Sequence, residues 1–200
     1  MLLYRVCDHL PSANPGAAGH PLYVYPAQGS GLWDNPHLYL ARYLARNPEA
    51  AVAEAFGTLR VWTPAMLHAP GLPGSEKLIV TFSFDTETHP LLDLDDAREL
   101  VQRSLRPTQV VIRDRPFTQS VAASVFAEGR WAGLGWWSFY RPEWPVAVLW
   151  DETTLGVLHM EEIVNHPALE QAAARLHKVR RNLIGPRRSS ESTLTRVVPE

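Results

Sequence analysis

QGSGLWDNPHLYLARYLARNPEAAVAEAF, residues 28–56, places a turn, a strand and a helix in immediate succession. Gly29-Ser30-Gly31 and the breaker Asp34-Asn35-Pro36 predict a turn region. Leu38 to Ala45 is aromatic and apolar and reads as a strand. Asn47 suits a helix cap. Pro48 suits the first turn, where its missing N–H would have had no partner, so a helix is predicted over Pro48 to Phe56. Ala51, Val52, Ala55 and Phe56 can pack inward. Glu54 is then a carboxylate on a helix that otherwise looks built for burial, an arrangement that packing alone does not require.

Working outward, strands are expected over Leu2 to Cys7, Leu22 to Tyr25, Leu59 to Trp62 and Val146 to Trp150. The β-branched and aromatic run KLIVTFSF, Lys77 to Phe84, reads as a central strand. Gly133 to Phe139 reads as a glycine turn and strand. A helix is predicted over Asp93 to Leu105, capped by Asp93, with Leu94, Ala97, Leu100, Val101 and Leu105 as its apolar stripe. A second is predicted over Thr118 to Gly129, and Met160 to Arg181 reads as mostly helix. The sequence from Gly185 to Glu200 reads as a flexible tail behind one domain over residues 1–184. Short strands mixed with short helices argue for α+β rather than regular βαβ winding.

The 200 residues are 46% apolar, enough for a full core, and their net charge of −2 offers no bulk attraction to nucleic acid or anionic membrane. The basic segment containing Lys178, Arg180, Arg181, Arg187 and Arg188 reads as a solvated helix end and tail rather than a DNA contact, or equally as a docking surface for a protein partner. The single cysteine, Cys7, excludes an internal disulfide and suits a reducing compartment. Met1 to Arg5 lacks the pattern of a signal peptide, and no apolar run reaches the roughly 18 residues of a membrane span. A cytoplasmic protein is expected. There is no P-loop, no G-x-G-x-x-G, no C-x-x-C, no H-E-x-x-H and no G-x-S-x-G, and the eight histidines are scattered, so no metal site is expected.

Taken singly, the chemistry-bearing residues stay ordinary. Glu54 reads as a solvated helix carboxylate about two times in three, and otherwise as a group held near developing positive charge. Tyr43 alone is a packing residue, and Arg5 alone a surface residue with a packed stem. Ser138 satisfies a strand edge; Trp33, Trp136 and Trp137 fill a core.

Together, several stretches resemble the RES-domain family, named for Arg, Glu and Ser and typically the toxins of bacterial toxin–antitoxin pairs. They are LYRV at Leu3–Val6, HPLYVYPAQGSGLWDNP at His20–Pro36 and YLARNPEAAVAE at Tyr43–Glu54. TQSVAASVFAEGRWAGLGWWS at Thr118–Ser138 and VAVLWD ending at Asp151 follow in order. The resemblance implies an ADP-ribosyltransferase-like fold, a split, bent sheet with a cleft for NAD. It also implies cleavage of the nicotinamide–ribose bond, with ADP-ribose passed to phosphate or water and cellular NAD depleted. NAD is then substrate rather than cofactor, and phosphate a possible co-substrate.

Carried over by position, Glu54, Tyr43 and Arg5 are the catalytic residues. Ser138, Trp33, Gly31, Asp34 and Arg42 are assigned to substrate binding. The cationic nicotinamide leaves without a general acid, so one carboxylate suffices where ordinary glycosidases use two. Glu54 would stabilise an oxocarbenium-like transition state, and Tyr43, helped by Trp33, would stack on nicotinamide. Arg5 would grip the pyrophosphate. Ser138 would bond the nicotinamide or ribose, or anchor Glu54. Leu32 stands where the family usually has arginine, so Arg42 is a candidate substitute. Leu32 also keeps open a weakened enzyme or a silent nucleotide-binding module, beside a protein ADP-ribosyltransferase. The expected partner is a small helix-turn-helix antitoxin whose end plugs the cleft.

Overall fold

The first strand, β1, runs from Leu2 to His9, and the strand of the opening stretch, β2, from Ala41 to Ala45. Helix α1 follows at once over Pro48–Phe56. In this computed structural model, residues 1–150 and 154–181 are described. The expected boundary at 184 and the tail from 185 lie outside the described residues, as does Asp151.

Helix α1 forms for the local reasons the sequence suggests. The Asn47 side chain accepts a hydrogen bond from Ala50 N at 2.7 Å, and Pro48 opens the first turn. Strand β2 begins three residues later than Leu38. The Asn35 carbonyl accepts from Leu38 N at 2.8 Å and Tyr39 N at 2.9 Å, which closes a turn there. The Gln28 side-chain amide then pairs with both backbone groups of Ala41, at 2.6 and 2.8 Å, as a neighbouring strand would. The expected strand at Leu22–Tyr25 does not form. Tyr23 N is taken by the His20 carbonyl in a turn, and the Tyr23 carbonyl is taken by Arg5.

Beyond α1 come β3 (Val61–Trp62), β4 (Glu76–Ser83) and β5 (Leu91–Asp93). Helices α2 (Ala97–Gln102), α3 (Pro107–Val110) and α4 (Arg115–Ala127) follow. Then come β6 (Gly133–Trp137), β7 (Pro145–Trp150), β8 (Gly156–Glu162), α5 (Pro167–Arg175) and β9 (Val179–Arg180). Asp93 ends a strand instead of capping a helix, and Asp96 caps α2 by accepting from Arg98 N at 2.8 Å. Helix α4 starts three residues before Thr118 because Asp114 caps it and Pro116 suits its first turn. The predicted long helix from Met160 is a strand, β8, followed by the shorter α5. Strand β8 is exposed along its length and exists by pairing with β4.

The strands form a seven-stranded mixed sheet in the order β5-β6-β7-β2-β1-β4-β8, with β3 and β9 in a separate parallel pair. This is the expected α+β architecture. Strand β1 pairs with β4 from Leu2↔Ser83 to His9↔Glu76, and β2 with β7 from Ala41↔Trp150 to Ala45↔Val146. Between them, β1 and β2 meet at Tyr4↔Ala45 alone among the described residues. The sheet therefore splits at its centre. One face carries the larger apolar cluster, with Ala45, Ile79, Val148 and the buried residues of α1 and α5; the other carries Leu3, Leu44, Val80, Phe82 and Leu149. The alternation of side chains along each strand sorts the residues to these faces.

Candidate functional site

Where β1 and β2 diverge, a cavity of about 600 Å³ opens. That is the size of an ordinary small-molecule site. Its floor is one stripe of α1, where Ala51, Glu54 and Ala55 recur at helical spacing, continued by Thr58 just past the helix end. The alanines leave room, and Glu54 is the carboxylate on that stripe. Among the described residues lining the cavity there is no other acidic side chain.

Glu54 is met from the far side of the molecule by Ser138, which is 1% exposed at the end of β6. The Ser138 hydroxyl donates to Glu54 Oε1 at 2.6 Å and accepts from Tyr140 N at 3.1 Å. The bond to Oε1 is the contact expected of a Ser138 that anchors Glu54. The protein around Glu54 pushes its carboxyl pKa above the ordinary value by desolvation, and the Ser138 hydrogen bond pulls it part of the way back. Glu54 still reaches solvent through the cavity, and among the described residues its Oε2 accepts no hydrogen bond.

The glycine turn is tied into a knot by Asp34, which is 4% exposed. Asp34 Oδ2 accepts from Gly29 N at 2.8 Å and from Gly31 N at 2.7 Å, while Oδ1 accepts the Tyr43 hydroxyl at 2.8 Å. That hydroxyl also accepts from Trp33 N at 2.9 Å. Desolvation, with the Asp34 charge second, drives the Tyr43 pKa far above its ordinary value, so Tyr43 remains a neutral phenol. Gly31 is required by close approach, because a Cβ there would lie 2.6 Å from the Tyr43 hydroxyl and closer still to Asp34 Oδ1. Asp34 thus organises the turn from beneath, and Gly31 and Tyr43 line the cavity.

Two expected site residues sit off the cavity wall, and a third borders it. Trp33 is 1% exposed and off the cavity wall; its ring supports Trp136 edge-on at 5.5 Å. Trp136, read from sequence as core, is buried in the larger apolar cluster and also borders the cavity, where it meets the Tyr43 ring at 6.4 Å. Arg42, one residue before Tyr43, shares the opposite face with Leu44 and points an Nη2 toward the Leu22 carbonyl at 3.5 Å. It is not among the residues of the cavity wall. Arg5 borders the cavity at the split and has the same parity on β1 as Leu3 and Cys7 of the second face. Its guanidinium donates to the Tyr23 carbonyl at 3.0 Å, and burial lowers its pKa.

Sequence reasoning also missed the residues that fasten the glycine turn to α4. Thr118 Oγ1 donates to the Leu32 carbonyl at 2.6 Å, and Gln119 Nε2 to the carbonyls of Gly29 and Gly31, both at 3.0 Å. Arg115 Nε donates to the Ser30 carbonyl at 2.9 Å. Arg113, Arg115, Phe139 and Tyr140 complete the wall. The one available signal was Asp114, a helix cap flanked by two arginines, which does not by itself say what those arginines face. No group of three or more His, Cys, Asp or Glu side chains stands close enough to hold a metal ion among the described residues. No described helix is long and apolar enough to cross a membrane.

Among solved structures, a chain of the crystal structure of the M. tuberculosis MbcT–MbcA toxin–antitoxin complex shares this fold. The TM-score is 0.56 at 17% identity, over 85% of this chain and 86% of that chain. No curated protein matches the chain. The family model for the RES domain matches residues 2–171. That span takes in the split sheet, the Glu54–Ser138 pair and the Asp34 knot, and the chain belongs to the RES-domain family.

Proposed function

We propose that the chain is the toxin of a toxin–antitoxin pair and cleaves the nicotinamide–ribose bond of NAD, passing ADP-ribose to phosphate or water. The observation that carries this reading is the Glu54–Ser138 pair at 2.6 Å in the cavity at the sheet's split. Membership of the RES-domain family supports it.

In the proposed reaction the C1′–N bond breaks and its electron pair leaves with nicotinamide, which departs neutral. The ribose is left as an oxocarbenium-like centre, and an oxygen of phosphate or water forms the new C1′–O bond. An attacking water loses its proton to solvent; an attacking phosphate oxygen brings its own charge. Ser138 fixes one oxygen of Glu54, leaving Oε2 to hold the ribose hydroxyls and offset the positive charge. Tyr43 and Trp136 offer apolar ring surface for the flat nicotinamide. The partner proposed is a small helix-turn-helix antitoxin whose end enters the open cavity past Phe139, which is 64% exposed. The setting proposed is the cytoplasm, where NAD is available.

The test is nicotinamide release from NAD by the purified chain, with and without phosphate. Release that rises with phosphate identifies a phosphorylase, and release indifferent to it a glycohydrolase. No release from a folded sample overturns the reading.

The active form of Glu54 in this reaction is the carboxylate, and burial raises its pKa. Activity should therefore fall on acidification at a higher pH than the roughly 4.3 of an ordinary glutamate. Ser138→Ala removes the hydrogen bond that favours the charged form. Its acid limb should move further up, and its rate at neutral pH should drop by about tenfold. An unmoved limb in a folded Ser138→Ala variant would show that Ser138 does not tune Glu54.

A further inference from the structure

The chemistry above uses one carboxylate, yet the cavity's lining is rich in cations. Arg5, Arg113 and Arg115 all border it. Arg5 already gives its Nη1 to the Tyr23 carbonyl at 3.0 Å, and residue 32 is leucine. The other two guanidiniums come from Arg113, just before α4, and Arg115, its first residue.

Arg113 is exposed, with its guanidinium 5.6 Å from the centre of the Phe139 ring. Phe139 directly follows Ser138, the anchor of Glu54. Arg113 is also close enough to act on Tyr140, whose pKa it lowers while burial and Glu54 raise it. Even so, neither Arg113 nor Glu54 makes an ion pair among the described residues, so the cation stands beside the carboxylate without being spent on it. Arg115 uses Nε to hold the Ser30 carbonyl at 2.9 Å, and its two terminal nitrogens make no hydrogen bond among the described residues. Asp114, between the two, could have neutralised them; its carboxylate is turned away to cap α4 at Phe117 N, 3.2 Å off. The segment is held in place because Thr118 and Gln119 bind the same glycine turn.

Resting on the reading above, we infer that Arg113 and Arg115 clamp the pyrophosphate of the dinucleotide, supplying from the start of α4 the positive charge that residue 32 lacks. Guanidinium forks match phosphate oxygens in pairs, and two of them within one cavity suit a doubly charged diphosphate better than a neutral ligand. The apolar Leu32 then serves as the wall of the cavity under the clamp, its carbonyl tied to Thr118.

The experiment is calorimetric titration of ADP-ribose, adenosine and inorganic phosphate into the native chain, Arg113→Gln and the Arg113→Gln/Arg115→Gln pair. Nicotinamide release is assayed separately. The expected result is ADP-ribose binding weakened about tenfold by the first change and about a hundredfold by both, with the weak binding of adenosine unchanged. Arg113→Gln keeps the test open if the double variant fails to fold, because Arg113 makes only a ring contact on an exposed surface. ADP-ribose affinity unaltered in Arg113→Gln, loss of inorganic phosphate binding alone, or no ADP-ribose binding by the native chain would each overturn the clamp. A chain that binds ADP-ribose through these arginines yet releases no nicotinamide keeps the clamp and refutes the catalytic reading. A chain that releases nicotinamide with affinity indifferent to both arginines does the reverse.

Discussion

Glu54→Gln is expected to leave the chain folded and to lower nicotinamide release by about three orders of magnitude. The substitution is nearly isosteric. The Ser138 hydroxyl can still donate to the amide oxygen, so the 2.6 Å tie to β6 has a successor. What is lost is the negative charge. At the oxocarbenium-like centre of the proposed reaction, that charge would be the largest single contribution the site makes to the transition state. Glu54 is exposed to the cavity, so the uncharged amide disturbs no packing, and stability should hold. The comparison needs kcat and urea unfolding on the same preparations. Turnover within tenfold of the native chain, in a folded variant, would remove Glu54 from the chemistry.

Gly31→Ala should be the most damaging change outside the carboxylate itself. The added methyl would have to displace the Tyr43 hydroxyl, 2.6 Å away, or the Asp34 carboxylate, which is nearer still. Neither is the loose end of a flexible chain. Asp34 is held by the N–H groups of Gly29 and Gly31, and Tyr43 by Asp34 and Trp33 N. Overpacking of this kind costs about 1–3 kcal/mol. Because Tyr43 lines the cavity and meets Trp136, moving its ring also opens the surface on which the nicotinamide is proposed to stack. The expected outcome is a lowered unfolding midpoint and roughly a hundredfold loss of nicotinamide release, since small misplacements at a reacting centre are expensive. A variant with native midpoint and native rate would show that the knot is not what positions Tyr43.

The elements legible in the amino-acid order are those whose causes lie within a few residues. Asn47 and Pro48 start α1 where expected, because a cap and a first turn need only their immediate neighbours. The KLIVTFSF run forms β4 because its residues suit a buried pleat on both faces. The α+β class followed from that mixture of short elements, and family resemblance picked out Glu54 and Ser138 while leaving the role of Ser138 open. The same local logic failed at β8, whose exposed residues form a strand because β4 offers an edge, and at β5, which exists by pairing in parallel with β6.

The site itself was decided by tertiary structure. Ser138 meets Glu54 across a separation of 84 residues, and Gln119 reaches back 88 to fasten Gly31. Arg42 was a plausible site cation until the sheet placed it off the cavity wall, whereas Arg5 borders the cavity and Arg113 and Arg115, at the start of α4, join it there. Residue order sets where a chain turns and what it can bury. Which face a strand residue presents, and which distant residue it then meets, follows from hydrogen-bond register between strands far apart in sequence.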